Sequence, residues 1–204
     1  RGPLPDYPWD AMAPYAARAK EHPGGALDLS VGSPVDPTPA PIGEALAAAT
    51  DAHAYPATAG APRLREAIAD WYLRRRGVTV PPDAVLPTIG SKELVALLPF
   101  LLGIGAGEAV VFPRIAYPSY EMGAAMVGAE AIASDDPAEW PVHTRLVWLN
   151  SPSNPSGAAY SHAEMKKLTD VLLRHPHVWI LTDDMYEHLV YGDFTFVTPA
   201  QVEP

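Results

Sequence analysis

Four short stretches carry side chains with usable chemistry. In "LNSPSNPSG", Leu149 to Gly157, Asn154 stands directly before Pro155. Its amide can donate to an oxygen on a flat ligand, or the stretch can be a plain turn, since Ser, Asn, Pro and Gly are all turn residues. In "LTDDMYEHL" an apolar run delivers Asp183 and Asp184, with Tyr186 three residues after Asp183. A carboxylate at a buried strand end needs a partner, because an unpaired buried charge is costly. A protonated ring nitrogen would serve; so would the backbone of a helix start that Asp caps. In "IGSKEL", Gly90, Ser91 and Lys92 open a helix whose free N–H groups could hold an anion, or are simply a helix start. In "PRIAYPSY", Tyr117 and Tyr120 could stack on a planar ring or pack in a core.

The elements that must position these residues follow from pattern. The stretch from Trp9 to Lys20 reads as a short helix, and further helices are expected over 42–51 and 62–76. Leu64, Ile68, Trp71 and Tyr72 form the apolar stripe of the latter, and Gly77 stops it. A strand is expected over 84–88. Next comes a helix with Leu94, Leu97, Leu98 and Leu101 on one face, kinked or shortened by Pro99. Strands are expected over 109–112, 130–133, 145–149 and 178–182. Helices are expected over 119–127 and, from the capping box at Ser161 and Glu164, to about Arg174 with Met165, Leu168 and Leu172 inward. Continuous apolar strands alternating with helices indicate an α/β fold with a mostly parallel sheet covered on both faces. Residues 1–41, rich in Pro and Gly, read as an extended arm, and 42–204 as one partial domain.

Ligands of such sheets bind at the carboxyl ends of strands. The four stretches all follow predicted strands, after Thr88, Phe112, Leu149 and Thr182. Together they offer an anion site, an aromatic plate, a donor for a ring oxygen and a carboxylate for a ring nitrogen. The ligand so described is a flat, phosphorylated pyridine bearing a phenolic oxygen, which is pyridoxal 5'-phosphate.

Composition narrows the remaining classes. The chain has 204 residues and a formal net charge of -10, which disfavours nucleic acid or an anionic membrane as partner. The one basic cluster, Arg74 to Arg76, reads as the solvated end of a helix. There is no cysteine, hence no disulfide framework or thiolate metal site, in keeping with a cytoplasmic protein. No apolar run reaches membrane-span length, and "RGPLPDYPWD" lacks the apolar core of a signal peptide. Gly103, Gly105 and Gly107 lie between a helix and a strand, the reverse of a dinucleotide fingerprint. His175, His177 and His188 with Asp183 and Asp184 fit no metal-ligand spacing, so no metal is expected. A Gly-x-Ser-x-Gly elbow is absent.

The ordered set "YPATAGAPRLREAI", "GSKEL", "YPSY", "NSPSNPSG" and "TDDMYEHL" resembles fold-type I aminotransferases of class I/II along nearly the whole chain. "LPDYPWD", "LDLSVGSPVDPTP" and "LPTIGSKELVALLPFLLG" are most like succinyldiaminopimelate aminotransferases. The last third is more like bacterial aspartate aminotransferases. The resemblance implies that Asn154 and Tyr186 bond the cofactor's phenolic oxygen and that Asp183 pairs with the ring nitrogen. Pro155 biases Asn154 towards extended backbone, which would aim its amide. Gly90, Ser91 and Lys92 would cradle the phosphate, mainly through backbone N–H groups, and Tyr117 would stack on the ring. Tyr55 would reach the phosphate of a neighbouring subunit in a homodimer, and Gly32 would meet the substrate carboxylate.

The implied activity is ping-pong amino transfer between an amino acid and a 2-oxo acid, with glutamate and 2-oxoglutarate on one side and succinyldiaminopimelate or aspartate on the other. The family's Schiff-base lysine lies in a Ser-x-x-Lys context that Lys20, Lys92, Lys166 and Lys167 do not have. The distal arginine that clamps substrate carboxylates is also missing. The sequence therefore reads as an N-terminal half, inactive alone. The resemblance further implies two later strands between the first strand and the one carrying Asn154, and hence a gap in the sheet and exposed strand edges, an aggregation hazard. Two other readings use the same half: an effector-binding domain of a transcription regulator, and a lyase with the same cofactor.

Overall fold

A computed structural model describes residues 4–202. Contacts divide them into two units, Pro8–Ala61 and the remainder. Packing thus groups more with the arm than the composition boundary at residue 41 does. The smaller unit holds helices α1 (Pro8–Lys20) and α2 (Ala40–Ala48), and neither buries a residue. Helix α2 starts two residues earlier than expected, because Pro41 fits the first turn, where its missing N–H costs nothing. It also ends three residues short of Asp51.

The larger unit begins with α3 (Pro62–Arg76), a 3-10 turn at Pro82–Ala84, and α4 (Ser91–Leu101). Then come β1 (Ala109–Phe112), α5 (Ser119–Val127), β2 (Glu130–Ala133) and β3 (Thr144–Asn150). Helix α6 (His162–Leu172), β4 (Trp179–Asp183) and the short α7 (Pro199–Val202) complete it. The strands form one parallel sheet in the order β2-β1-β3-β4.

Period-2 alternation splits the central strands between two cores. Val110, Phe112, Leu146 and Trp148 face Val95 of α4 and Tyr120 and Ala124 of α5. Val111, Val147 and Leu149 face Met165 and Leu172 of α6, with Val197. Both faces are covered, so the α/β architecture expected from the sequence is the one observed. The capping box opens α6: Glu164 N donates to Ser161 Oγ, and Ser161 N donates back to the Glu164 carboxylate. Helix α6 ends at Leu172, two residues before the expected stop.

Four expectations need correction. Residues 84–88 form no strand; Ala84 closes the 3-10 turn, and Val85 is extended with no ladder partner. A strand is a paired state, and every ladder of the described sheet is taken by β1 to β4. Leu86 and Ile89, the apolar signal for that strand, are exposed. Second, no gap opens beside the strand that leads to Asn154. Strand β4 pairs with β3 over Leu146↔Trp179 to Asn150↔Asp183, so the free edge belongs to β4.

Third, α4 buries Val95 and Pro99 while Leu101 is exposed, so its inward face is turned from the leucine stripe. Helix α5 sets that face: Gly123 comes so close that an added Cβ would lie 2.9 Å from the Ala96 carbonyl oxygen. Fourth, Arg76 is not solvated. Its guanidinium pairs with Glu187, both side chains mostly buried, and lies 4.4 Å from the Phe196 ring centroid and 5.5 Å from that of Trp71. Arg74 and Arg75 do stay exposed. The stripe of α3 is also only partly used, since Leu64 is exposed and Ala69 is its buried residue.

Candidate active site

The register of β3 and β4 puts Asn150 opposite Asp183, so both strands end at the same level. Asn150 is 4% exposed, and its amide cross-links the two strand ends. Its Nδ2 donates to the Asp183 carbonyl at 2.8 Å and to the Pro152 carbonyl at 3.3 Å. Its Oδ1 accepts from the Asn154 backbone N–H at 2.7 Å. A buried amide that satisfies three backbone groups fixes their geometry, because leaving any of them unpaired is costly.

The loop beyond is closed by its own bonds. Ser153 N donates to Ala158 O and Gly157 N to Ser153 O, both at 2.8 Å, and Tyr160 N donates to Ser151 Oγ at 3.0 Å. The Ser151–Pro152 and Asn154–Pro155 peptide bonds are cis. Out of this frame the Asn154 side chain projects, its Nδ2 donating to the Tyr186 hydroxyl at 3.4 Å.

Asp183 receives two neutral donors. Tyr120 Oη donates to its Oδ2 at 2.8 Å, and the Met185 N–H donates to its Oδ1 at 3.3 Å. Among the ion pairs of the described residues none involves Asp183. Its neighbour Asp184 is partly buried. Burial pushes the Asp184 carboxyl up to about 6, against hydrogen bonds from Thr198 and Thr182. Burial, and then the Asp183 charge, hold the Tyr120 phenol far above its ordinary value, so it stays a donor.

Across the cleft, Gly90 caps α4 with φ 80°, a left-handed backbone that favours glycine. No side chain caps this end, so the first N–H groups of α4 face outward. The Lys92 ammonium donates to the Tyr7 hydroxyl at 2.8 Å and sits 4.5 Å from the centre of that ring. Tyr117 meets Tyr120 edge to face, with centroids 6.1 Å apart.

The cleft has a volume of about 240 Å3, suited to a one-ring ligand. Ser91, Lys92, Tyr117, Asn154, Asp183 and Tyr186 all line it, with Gly90 at the start of the bordering helix. Tyr55 and Gly32 belong to the Pro8–Ala61 unit, where both are exposed. A larger cavity of about 720 Å3 lies within that unit among Trp9, Met12, Tyr15, Leu27 and Leu29. It is mostly apolar, whereas Ser91, Lys92, Asn150, Asn154, Asp183 and Tyr186 bring polar groups together at the smaller cleft. Of the residues that hold this site, Asn150 goes unnamed in the sequence reading, and Tyr120 is named there only as a stacking or packing ring. The signal for Asn150 was a polar residue closing an apolar strand. For Tyr120 it was a second tyrosine three residues after Tyr117. Among the described residues no group of three or more His, Asp or Glu could hold a metal ion.

Comparison with known proteins places the chain in a family. The family model for aminotransferase class I and II matches residues 25–204. A 4-dedimethylamino-4-oxo-anhydrotetracycline transaminase of Streptomyces rimosus is 51% identical over 168 residues, 81% of this chain and 46% of that protein. An aspartate aminotransferase of Rhizobium meliloti is 38% identical over 207 residues, 93% of this chain and 50% of that protein. A crystal structure of the aspartate aminotransferase from Rhizobium meliloti superposes with a TM-score of 0.85 at 34% identity, covering 100% of this chain and 54% of that one. N-succinyldiaminopimelate aminotransferase from Mycobacterium tuberculosis gives 0.83 at 28% identity, covering 98% and 55%. The chain spans about half the length of the relatives it matches. On the family match and the identity to these enzymes, the chain belongs to the class I and II aminotransferases, whose members use pyridoxal 5'-phosphate.

Proposed function

We propose that this chain supplies the cofactor-holding half of a cytoplasmic transaminase that moves an amino group between an amino acid and a 2-oxo acid. The observation that carries the reading is the convergence of Asn154, Tyr186 and Asp183 on one cleft, with neutral donors as the partners of Asp183 among the described residues. A carboxylate without a cationic partner fits a protonated pyridine nitrogen. When bound, the cofactor supplies an electron sink for the substrate carbanion.

This chain's residues then divide the work. Asp183 holds the proton on the ring nitrogen, and Asn154 and Tyr186 bond the phenolic oxygen. The open N-terminus of α4, at Gly90, Ser91 and Lys92, takes the phosphate through backbone N–H groups and its dipole. The Lys92 ammonium, engaged with Tyr7, adds charge nearby. Tyr117 covers a ring face. Gly32 meets the substrate carboxylate, and Tyr55 reaches the phosphate of a second copy in a homodimer.

Glutamate and 2-oxoglutarate form one substrate pair. For the other we favour succinyldiaminopimelate, as in lysine synthesis, or aspartate, after the relatives of those names. A second reading, a polycyclic ketone as amino acceptor, draws on the 51% identity to the tetracycline-type transaminase. Titration of the chain with pyridoxamine 5'-phosphate, followed by tryptophan fluorescence, tests the site. Asp183→Ala and Asn154→Ala are each expected to weaken binding by about tenfold or more. Unchanged affinity in both would overturn the assignment.

A further inference from the structure

We propose that Tyr120 is a positioning residue for the ring-nitrogen carboxylate: its hydroxyl holds the Asp183 side chain in place and keeps the shared proton on the ligand's ring. The proposal rests on the Asp183 reading above. Tyr120 is the second residue of α5 and is wholly buried. Its ring stacks on Trp148 of β3, with centroids 4.8 Å apart and planes at 23°, while Tyr117 abuts it at 80°. These two ring contacts fix the plane of the phenol, and so the line along which Oη meets Asp183 Oδ2 at 2.8 Å.

The remaining bonds to Asp183 complete the clamp. Met185 N–H takes Oδ1, and Asn150 takes the backbone carbonyl. Tyr120 alone bonds Oδ2 from another element of the fold. Its donor is neutral, so the carboxylate keeps its charge. A carboxylate that accepts a hydrogen bond is also a weaker base. With the ring bound, the Tyr120 hydrogen bond would favour the ionised carboxylate and so leave the proton on the ring nitrogen. Burial keeps the phenol protonated, so the donor persists across the working pH range.

Core packing alone would be met by phenylalanine, which keeps the Trp148 stack. The two roles separate when the chain is titrated with pyridoxamine 5'-phosphate and with its 1-deaza analogue, in which C–H replaces the ring nitrogen. The readout is the ratio of the two dissociation constants, together with the 15N resonance of ring-labelled pyridoxamine 5'-phosphate. Tyr120→Phe should lower the preference for the nitrogen-bearing ligand by about fivefold or more and move the bound 15N resonance towards neutral pyridine. Tyr120→4-aminophenylalanine keeps the shape and a weaker donor, and should give an intermediate ratio even if the phenylalanine variant does not fold. An unchanged ratio in either variant, or an equal loss for both ligands, overturns the proposal. A wild-type chain with no preference between the ligands would instead remove the Asp183 reading on which it stands.

Discussion

Two stretches rich in proline, glycine and serine behave in opposite ways. Residues 23–41 are exposed from end to end, and Asp28 makes a local turn there: its Oδ1 accepts from Ser30 N at 2.9 Å and from Ser30 Oγ at 2.6 Å. Residues 150–161 share their proline, glycine, serine and alanine. Yet Asn150, Ser151 and Pro152 are buried, and the loop is tied to β4 through the Asp183 carbonyl. Composition announces a loop in both cases. What makes one of them a site is a buried amide at a strand end, whose bonds must all be met at once. A ligand-holding side chain such as Asn154 needs that second kind of loop, because a donor aimed by a mobile backbone loses affinity to ordering entropy.

The sharpest way to break the comparison is to remove the anchor. Asn150→Ala leaves the Asp183 carbonyl and the Asn154 N–H without their partner. It should cost about 3 kcal/mol, read as a lower urea midpoint, and weaken pyridoxamine 5'-phosphate binding as well. If the variant matched wild type on both counts, the buried amide would not be what orders the loop.

A smaller effect of the same kind comes from two glycines. Gly123→Ala drives a methyl group into the Ala96 carbonyl, where α4 and α5 touch. Overpacking of that sort costs about 1–3 kcal/mol. Gly32→Ala meets nothing within 4 Å and should leave the urea midpoint where it is. Equal behaviour of the two variants would mean that the packed body is no more tightly fitted than the arm.

These contrasts also mark where sequence reading works. Strands β1 and β2 and helices α3 and α5 are legible to the residue, because apolar runs and stop signals such as Gly77 and Gly128 are local. Asn154, Asp183 and Tyr186 stand at or just past the ends of apolar runs in the sequence, and the structure brings them to one cleft. The inward face of α4 is not legible, since the close approach of Gly123 sets it from across the fold. Residues 84–88 mislead for a related reason: β propensity cannot supply a ladder partner. Arg76 looks like the last of three solvated arginines until Glu187, far along the chain, arrives beside it. Tyr120 and Asn150 act through bonds to residues on other elements, and no spacing rule reports those.

The weakest expected effect separates two aspartates by pH. Asp28, in the exposed loop, is held below the usual carboxylate value by the Ser30 hydrogen bonds. Asp184 is raised to about 6, chiefly by burial. Glu187 and Asp183 add to that rise, while Thr198 and Thr182 oppose it. The signs therefore differ. Between the unfolded Asp value near 3.9 and the folded value about 6, the native chain binds more protons at Asp184 than the unfolded chain does. Stability from that group is complete below the lower value and falls as pH rises through the upper one. Asp184→Asn should recover on the order of 1–2 kcal/mol at pH 7.5 and little at pH 4, after discounting for solvent screening of a partly exposed group. Urea midpoints measured at both pH values would show this as a flatter pH profile. Asp28→Ala should leave the profile as it was, because its bonds exchange with water in an open loop. A parallel flattening in both variants would place the titrating group elsewhere.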